Sequence, residues 1–141
     1  MNVVMGSIFR NAESYLVRYA NQVTLLRSAL NARGHDLSLV LVEGDSVDRT
    51  YEGLKTLLHT FDLTLVKREH GGPSWGSVDA LDRWQALSWC CNGVVENLPL
   101  DAGAFIYVES DLMWDSKTML SLLNNLAEVP ACATMCFTRS G

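Results

Sequence analysis

Two carboxylates separated by one residue follow the most apolar strand that the sequence predicts. Residues 104–108 are apolar throughout, and Glu109 and Asp111 come directly after them. Because side chains alternate along an extended chain, both carboxylates point to the same side and can face one ion. Hard oxygen ligands suit Mg²⁺ or Mn²⁺, and such ions commonly accompany phosphates. The pair is interpreted as a metal site, with ordinary surface carboxylates at a strand end as the alternative.

An acidic turn after the second predicted strand is the second candidate site. Glu43 ends the apolar run of residues 37–42, and Gly44, Asp45 and Ser46 follow it. An acidic residue at the carboxyl end of a strand can accept a hydrogen bond from an N–H group on the edge of a nucleobase. Asp48 lies just before a predicted helix and is interpreted as its N-cap. Glu43 is therefore the candidate ligand-binding residue of this turn.

The elements that must position these residues alternate between strands and helices. Strands are predicted over residues 3–8, 37–42, 63–67, 104–108 and 131–137, and helices over 12–32, 50–60, 79–97 and 116–126. This order predicts a single α/β domain, a Rossmann-like sandwich with a mostly parallel central sheet and helices on both faces. In such sheets ligands bind at the carboxyl ends of the strands, where both acidic turns lie.

The third predicted helix, over residues 79–97, is expected to bury one apolar stripe. Its members at helical spacing are Leu81, Trp84, Leu87, Cys91 and either Val94 or Val95. The Gly-, Pro- and Ser-rich segment before it predicts an irregular loop, and such loops are often functional. His70 in this loop is interpreted as exposed, with ligand contact as the alternative. Trp75 either stacks on a ligand or fixes the loop.

Length, charge and cysteine spacing limit the functions that the chain can have. The chain has 141 residues, the length of one domain, and a net charge of −5 with scattered basic residues. Nucleic-acid binding is disfavoured because such proteins usually present a basic face. No apolar run is long enough to cross a membrane. The four cysteines have no metal-type or redox-type spacing, so free thiols in a reducing cytoplasm are expected.

The motifs and their order resemble those of GT-A glycosyltransferases. Residues 42–50 resemble the acidic turn after the second strand of that family, and Glu109-Ser110-Asp111 occupies the place of its Asp-x-Asp motif. Arg83 lies on a helix similar to the Arg-containing helix that precedes this motif in the capsule and Golgi mannosyltransferase group. Two positions depart from the family pattern: Gly44 stands where many relatives have a second Asp, and Glu109 replaces the first Asp of the metal motif.

The resemblance implies an N-terminal donor-binding half, residues 1–141, that lacks most of an acceptor half. It implies metal-dependent transfer of a sugar from a nucleoside-diphosphate sugar to an acceptor hydroxyl, with Mn²⁺ or Mg²⁺ as cofactor. Asp111 is then the main metal ligand and Glu109 a second ligand or a ribose contact. Glu43 is expected to contact the base and Arg83 the diphosphate.

Ser7 near the end of the first strand and Arg10 in the loop after it complete the expected donor-binding set, with simple solvation of Arg10 as the alternative. The catalytic base is not identified. Asp115 and Asp79 are candidates, and Asp115 is also interpreted as the N-cap of the last helix.

Two other functions are open. One is a nucleotide-sugar binding module without transfer activity. The other is a sugar nucleotidyltransferase, which ranks third because residues 6–10 lack a Gly-rich basic loop. The sequence leaves the acceptor unknown, and an exposed sheet edge at residues 131–137 makes a homo-oligomer an expectation.

Overall fold

Strands and helices alternate through the computed structural model, which describes residues 1–71, 79–126 and 128. The elements are β1 (Asn2–Phe9), α1 (Leu16–Asn31), β2 (Asp36–Glu43), α2 (Thr50–Leu57), β3 (Asp62–Lys67), α3 (Leu81–Glu96), β4 (Ala102–Tyr107) and α4 (Ser116–Asn125). The predicted α/β architecture is confirmed. Trp75 and the strand and sheet edge predicted at residues 131–137 lie outside the described residues. No helix in the described part of the chain combines the length and apolarity needed to cross a membrane.

The sheet is parallel throughout and has the strand order β3-β2-β1-β4. β1 pairs with β2 up to Phe9 and Glu43, and with β4 up to Gly6 and Tyr107. The Val108 N–H continues this second pairing by donating to the Gly6 carbonyl at 3.0 Å. The loops that follow β1, β2 and β4 therefore leave the sheet side by side at one edge.

The larger core lies between one face of the sheet and the helices α1, α2 and α4 that cover it. α1 buries residues at steps of three and four, among them Tyr19, Val23, Leu26 and Leu30, against apolar side chains of β1 and β2. Leu25, an apolar residue next to Leu26, is 64% exposed because it lies outside this stripe.

α1 begins later than predicted. The N–H of Ala12 donates to Thr50 Oγ1 at 2.7 Å, so the chain at this point is tied to the loop after β2 and does not enter the helix. A 3₁₀ turn, Glu13–Tyr15, bridges this tie and the first residue of α1, Leu16.

α3 packs on the opposite face of the sheet, over a small cluster formed with Val4, Val40 and Val42. The prediction of its buried side is wrong except at Val94, which is fully buried. The helix buries Ala86, Cys90, Gly93 and Val94, whereas Leu81, Trp84 and Val95 are about half exposed or more. Close approach selects the small side chains: a Cβ at Gly6 of β1 would lie 2.3 Å from Val94 Cγ1, so there is no space for the larger stripe.

Candidate functional site

A cavity of about 350 Å³ opens at the carboxyl edge of the sheet. The loops after β1, β2 and β4 and the first turns of α3 form its walls. Its polar lining consists of Arg10, Asn11, Tyr15, His70, Arg83, Glu109, Ser110 and Asp111. The cavity thus brings together two arginines and two carboxylates from three separate segments.

Four of the predicted donor-binding residues lie in this cavity. Arg10 and Arg83 provide positive charge from the β1 loop and from α3, and Glu109 and Asp111 provide negative charge from the loop after β4. Ser7 does not belong to this set. Its side chain is fully buried on the α1 side of the sheet, where its Oγ accepts a hydrogen bond from the Tyr19 hydroxyl at 2.9 Å.

The Glu109 carboxyl group is oriented from α3 and β4. The Tyr107 hydroxyl donates to Glu109 Oε1 at 3.2 Å and lies 3.3 Å from the Cys91 thiol. Burial raises the pKa of Glu109. The Tyr107 hydrogen bond and the Arg83 charge oppose this, and the neighbouring Asp111 carboxylate raises the pKa further. A cation near the two carboxylates would relieve this unfavourable charge pairing.

The two carboxylates fit a Mg²⁺ or Mn²⁺ ion that also binds phosphate. Within the described residues no group of three or more His, Cys, Asp or Glu side chains converges on one point. Among the described residues, the carboxylates that line the cavity and could serve as ligands are those of Glu109 and Asp111. Mg²⁺ is commonly held by one or two carboxylates, with phosphate oxygens and water completing the octahedron.

The loops after β1 and β2 are bonded directly to each other. Asn11 donates its N–H to Ser46 Oγ at 3.0 Å, and its Oδ1 accepts the N–H of Val47 at 2.8 Å. Asp48 accepts the N–H of Glu13 at 3.1 Å and that of Thr50 at 3.0 Å. The N-cap of α2 is Arg49 and not Asp48, so the predicted capping role of Asp48 is wrong. Asp48 lies one residue earlier and accepts the N–H of Thr50, the first residue of the helix.

Glu43 lies at the base of these loops and is 1% exposed. Its Oε1 accepts the Ser46 N–H at 2.6 Å, whereas its buried Oε2 has no hydrogen-bond partner among the described residues. Gly44, the next residue, lines the cavity. An unsatisfied buried carboxylate oxygen is costly, so a ligand N–H that reached this atom would be strongly favoured.

The structure explains the glycine that follows Glu43. A Cβ at Gly44 would lie 2.9 Å from Cys90 Sγ and 3.3 Å from the Arg68 carbonyl oxygen, so an aspartate does not fit here without movement of α3. Burial raises the pKa of the Cys90 thiol to about 11, and the thiol stays protonated at neutral pH. Cys90 and Gly44 thus form a close-packed, uncharged floor beside the two arginines.

His70 is not exposed, contrary to the sequence-based expectation. Its side chain is 9% accessible; Nδ1 lies 3.3 Å from Asp45 Oδ2, and Nε2 lies 3.3 Å from Arg10 Nη1. The segment turns inward because the backbone N–H groups of His70 and Gly71 both donate to Asp45 Oδ2 at 2.7 Å. Although burial acts to raise the pKa of Asp45, these two donors lower it below its usual value.

Side chains of α1 reach the loop that carries the two carboxylates. Tyr15 lies 3.3 Å from Ser110 Oγ through its hydroxyl, Arg18 Nη2 donates to the Asp111 carbonyl at 2.9 Å, and Gln22 Nε2 donates to the Trp114 carbonyl at 2.5 Å. The sequence predicted no functional role for Tyr15, Arg18 or Gln22. The signal that could have revealed it is the spacing of 15, 18 and 22 along one helical face.

The two candidate bases lie outside the cavity lining. Asp115 is the N-cap of α4, as predicted: it accepts the Thr118 N–H at 2.8 Å and the Thr118 hydroxyl at 3.0 Å. The Thr118 N–H lowers the pKa of Asp115. Asp79 accepts a hydrogen bond from Trp84 Nε1 at 2.8 Å. Among the described residues, the carboxylates that line the cavity are those of Glu109 and Asp111.

Comparison with known proteins identifies the fold. No family model matches the chain, and no curated protein sequence matches it. Among solved structures, that of S. aureus TarS residues 1–349 with UDP superposes with a TM-score of 0.63 at 15% identity, covering 91% of this chain and 32% of that chain. The structure of the same protein with UDP-GlcNAc gives 0.55 at 17% identity, again over 91% and 32%.

The shared architecture is that of the N-terminal part of TarS, a glycosyltransferase. The chain spans about a third of the TarS fragment that it matches. At these identities the similarity establishes a GT-A-like, Rossmann-type fold, in agreement with the parallel sheet and the helices on both of its faces.

Proposed function

We propose that this chain is the donor-binding part of a glycosyltransferase that binds a uridine diphosphate sugar together with Mn²⁺ or Mg²⁺. The sugar is transferred to an acceptor hydroxyl whose identity is left open. The observation that carries the proposal is the pairing of Glu109 and Asp111 with Arg10 and Arg83 in one cavity, at the carboxyl edge of a sheet shared with TarS. The UDP and UDP-GlcNAc bound in the TarS structures support the choice of uridine.

Each charged group of the cavity has a defined part in this proposal. Asp111 and Glu109 hold the cation, which when bound neutralises negative charge on the departing diphosphate. The guanidinium groups of Arg10 and Arg83 donate to phosphate oxygens, for which their planar fork of N–H donors is well suited. Tyr107 keeps the Glu109 carboxyl group turned toward the cavity through its hydroxyl.

Glu43 is proposed to read the base. The edge of uracil presents an N–H between two carbonyl groups, and the Oε2 atom of Glu43 is a buried acceptor without a donor among the described residues. Cytosine has an acceptor at the same ring nitrogen, which would face the carboxylate unfavourably. The proposal therefore predicts a preference for UDP over CDP.

A donor-binding module without transfer is the second candidate. It is favoured because both candidate bases accept hydrogen bonds away from the cavity lining, Asp115 from Thr118 and Asp79 from Trp84. An inverting transfer needs a carboxylate near the acceptor, and the described residues supply none beyond the two metal-binding candidates. Slow hydrolysis of UDP-GlcNAc by the purified chain would favour the enzyme, and complete stability of the bound donor would favour the module.

The test is a thermal-shift panel of UDP, CDP, GDP, ADP and UDP-GlcNAc, each with Mn²⁺ and with a chelator. A ligand at 100 times its Kd stabilises by about 2.7 kcal/mol. A domain of this size reports this energy as a shift of several degrees. We expect the largest shift with UDP-GlcNAc or UDP and Mn²⁺.

Two variants give this panel its specificity. Asp111→Asn should remove the metal-dependent part of the shift. Asp101→Asn is the matched control because Asp101 is an exposed carboxylate at the other end of β4, where it accepts a hydrogen bond from Asn2. A flat panel with the folded wild-type chain, or equal effects of the two variants, would overturn the proposal.

A further inference from the structure

We infer that Arg18 is a positioning residue for the two carboxylates, acting through the main chain of the loop formed by residues 109–115. Tyr15 and Gln22 act beside it on the same face of α1. This inference deepens the proposed function and rests on it where nucleotide and metal binding are concerned.

The contacts follow the loop in order. Tyr15 at the N-cap of α1 and Arg18 and Gln22 within the helix are spaced by three and four residues, so they form one stripe. Their partners are Ser110 Oγ, the Asp111 carbonyl and the Trp114 carbonyl, at 3.3, 2.9 and 2.5 Å. The loop therefore runs along the helix and is fastened to it at three successive points.

The loop has few other polar ties. It leaves the sheet after the bond from Val108 to Gly6, and the backbone bond within its first residues joins the Leu112 N–H to the Glu109 carbonyl at 3.2 Å. Trp114 anchors its far end in the larger core, where it is 8% exposed. Between these two ends, the side chains of α1 fix the course of the main chain past Asp111.

Arg18 is the residue on which the inference can be tested most cleanly. Its guanidinium holds the peptide group of Asp111, and its carbon atom Cζ lies 5.4 Å from the centre of the Tyr15 ring. Tyr15 lines the cavity and would contact a ligand directly, whereas Arg18 does not belong to the lining. A change at Arg18 thus alters the placement of Asp111 without removing a group that faces the ligand.

The chain offers a matched control on the same helix. Arg27 Nη1 donates to the Thr60 carbonyl at 2.6 Å, and its guanidinium lies 4.6 Å from the centre of the Phe61 ring. The two arginines therefore make the same kind of contact, one to the loop of the cavity and one to the turn after α2. Arg18→Met and Arg27→Met remove the same chemical groups from the same helix.

The experiment measures UDP affinity for both variants and for the wild type, with Mn²⁺ and with a chelator. Loss of a group that orients a metal ligand typically weakens metal affinity by about 10–100-fold. We expect Arg18→Met to reduce the gain in UDP affinity that Mn²⁺ provides by about tenfold or more. Affinity in chelator should stay close to that of the wild type. Arg27→Met should leave both affinities unchanged, and Arg18→Lys should restore part of the gain, because an ammonium group can donate to the same carbonyl.

A second measurement separates this inference from the proposed function. Hydrogen–deuterium exchange at the Leu112 amide reports the order of the loop without any ligand. Faster exchange in Arg18→Met than in Arg27→Met supports the positioning role, even if the wild type binds no nucleotide and the proposed function fails. The inference is overturned if the Leu112 amide exchanges equally fast in the two variants. It is also overturned if both variants lose the Mn²⁺-dependent gain in UDP affinity to the same extent.

Discussion

The two sides of the cavity are held in place by different means. On one side, the loops after β1 and β2 bond each other directly, since Asn11 donates its N–H to Ser46 Oγ and accepts the Val47 N–H through Oδ1. On the other, the loop with Glu109 and Asp111 is fastened from outside by α1. The first side is a closed network of neighbouring loops, and the second depends on side chains of a helix that lies behind it.

This difference has consequences for ligand binding. A network that is complete before the ligand arrives needs little further ordering, so binding on the side of Glu43 costs little conformational entropy. The placement of Asp111 instead depends on contacts from residues 15 to 22, which span about two helical turns. Substitutions outside the cavity should therefore impair metal-dependent binding more readily than base recognition. Each of the following substitutions tests one side of the cavity separately.

The largest effect is expected for Glu43→Gln, which changes the base-reading side alone. The substitution keeps the oxygen that accepts from Ser46. It replaces the other, buried acceptor oxygen by an NH₂ group, which can only donate. A hydrogen bond to a charged group contributes about 1.5–3 kcal/mol, so UDP affinity should fall by roughly 10–150-fold. Isothermal titration in the presence and absence of Mn²⁺ checks this, and the fold loss should be the same in both. A loss confined to the Mn²⁺ titration would contradict the assignment of Glu43 to the base.

An intermediate effect is expected for Thr50→Val, which breaks the network between the loops. Thr50 is fully buried, and its Oγ1 accepts the Ala12 N–H at 2.7 Å. The valine leaves this N–H buried without a partner, at a cost of about 1–3 kcal/mol in the free energy of unfolding. Urea denaturation measures the loss. Thr24→Val is the control, since Thr24 is exposed on α1 and should change stability by at most about 0.5 kcal/mol. Similar losses in the two variants would show that the network adds no stability.

The smallest effect is expected for Asp45→Asn, and it appears only in acid. The folded state holds the pKa of Asp45 below its ordinary value of 3.8, so ionised Asp45 stabilises the fold above that pH. This contribution is lost as the pH falls through the lowered pKa. Wild type and variant should therefore differ by a constant amount at neutral pH and converge below about pH 4. Acid unfolding followed by circular dichroism tests this, and curves that stay parallel to the lowest pH would argue against a role of the Asp45 charge.

The sequence predicted the succession of strands and helices because each element has a simple apolar pattern. It did not predict which side of α3 is buried, since that helix has two apolar stripes. The choice between them is made by the sheet: Val94 approaches Gly6 so closely that small residues must face it. Periodicity within one helix contains no information about the surface on which it packs.

Only the part of the site that follows from the positions of the strand ends was predicted. Arg10, Glu109 and Asp111 follow from the rule that ligands bind at the carboxyl ends of parallel strands. The alternation of β1 could also have placed Ser7 in the core, since it shares a face with Met5. The contacts of His70 with Asp45 and of Arg18 with Asp111 join residues far apart in the chain, so a local pattern can indicate the helical face of Arg18 but not the partner of either residue.

The rate at which the Cys90 thiol is alkylated can report whether the cavity is occupied. At neutral pH, a thiol with a pKa near 11 is ionised in only about one molecule in ten thousand, and this one lies against the Gly44 backbone under the floor of the cavity. Alkylation at this position should therefore be slow, because few of the thiols are ionised and the residue is only 6% exposed. A bound nucleotide that holds these walls together should lengthen the labelling half-life, and the modified peptide would report occupancy without any assay of sugar transfer.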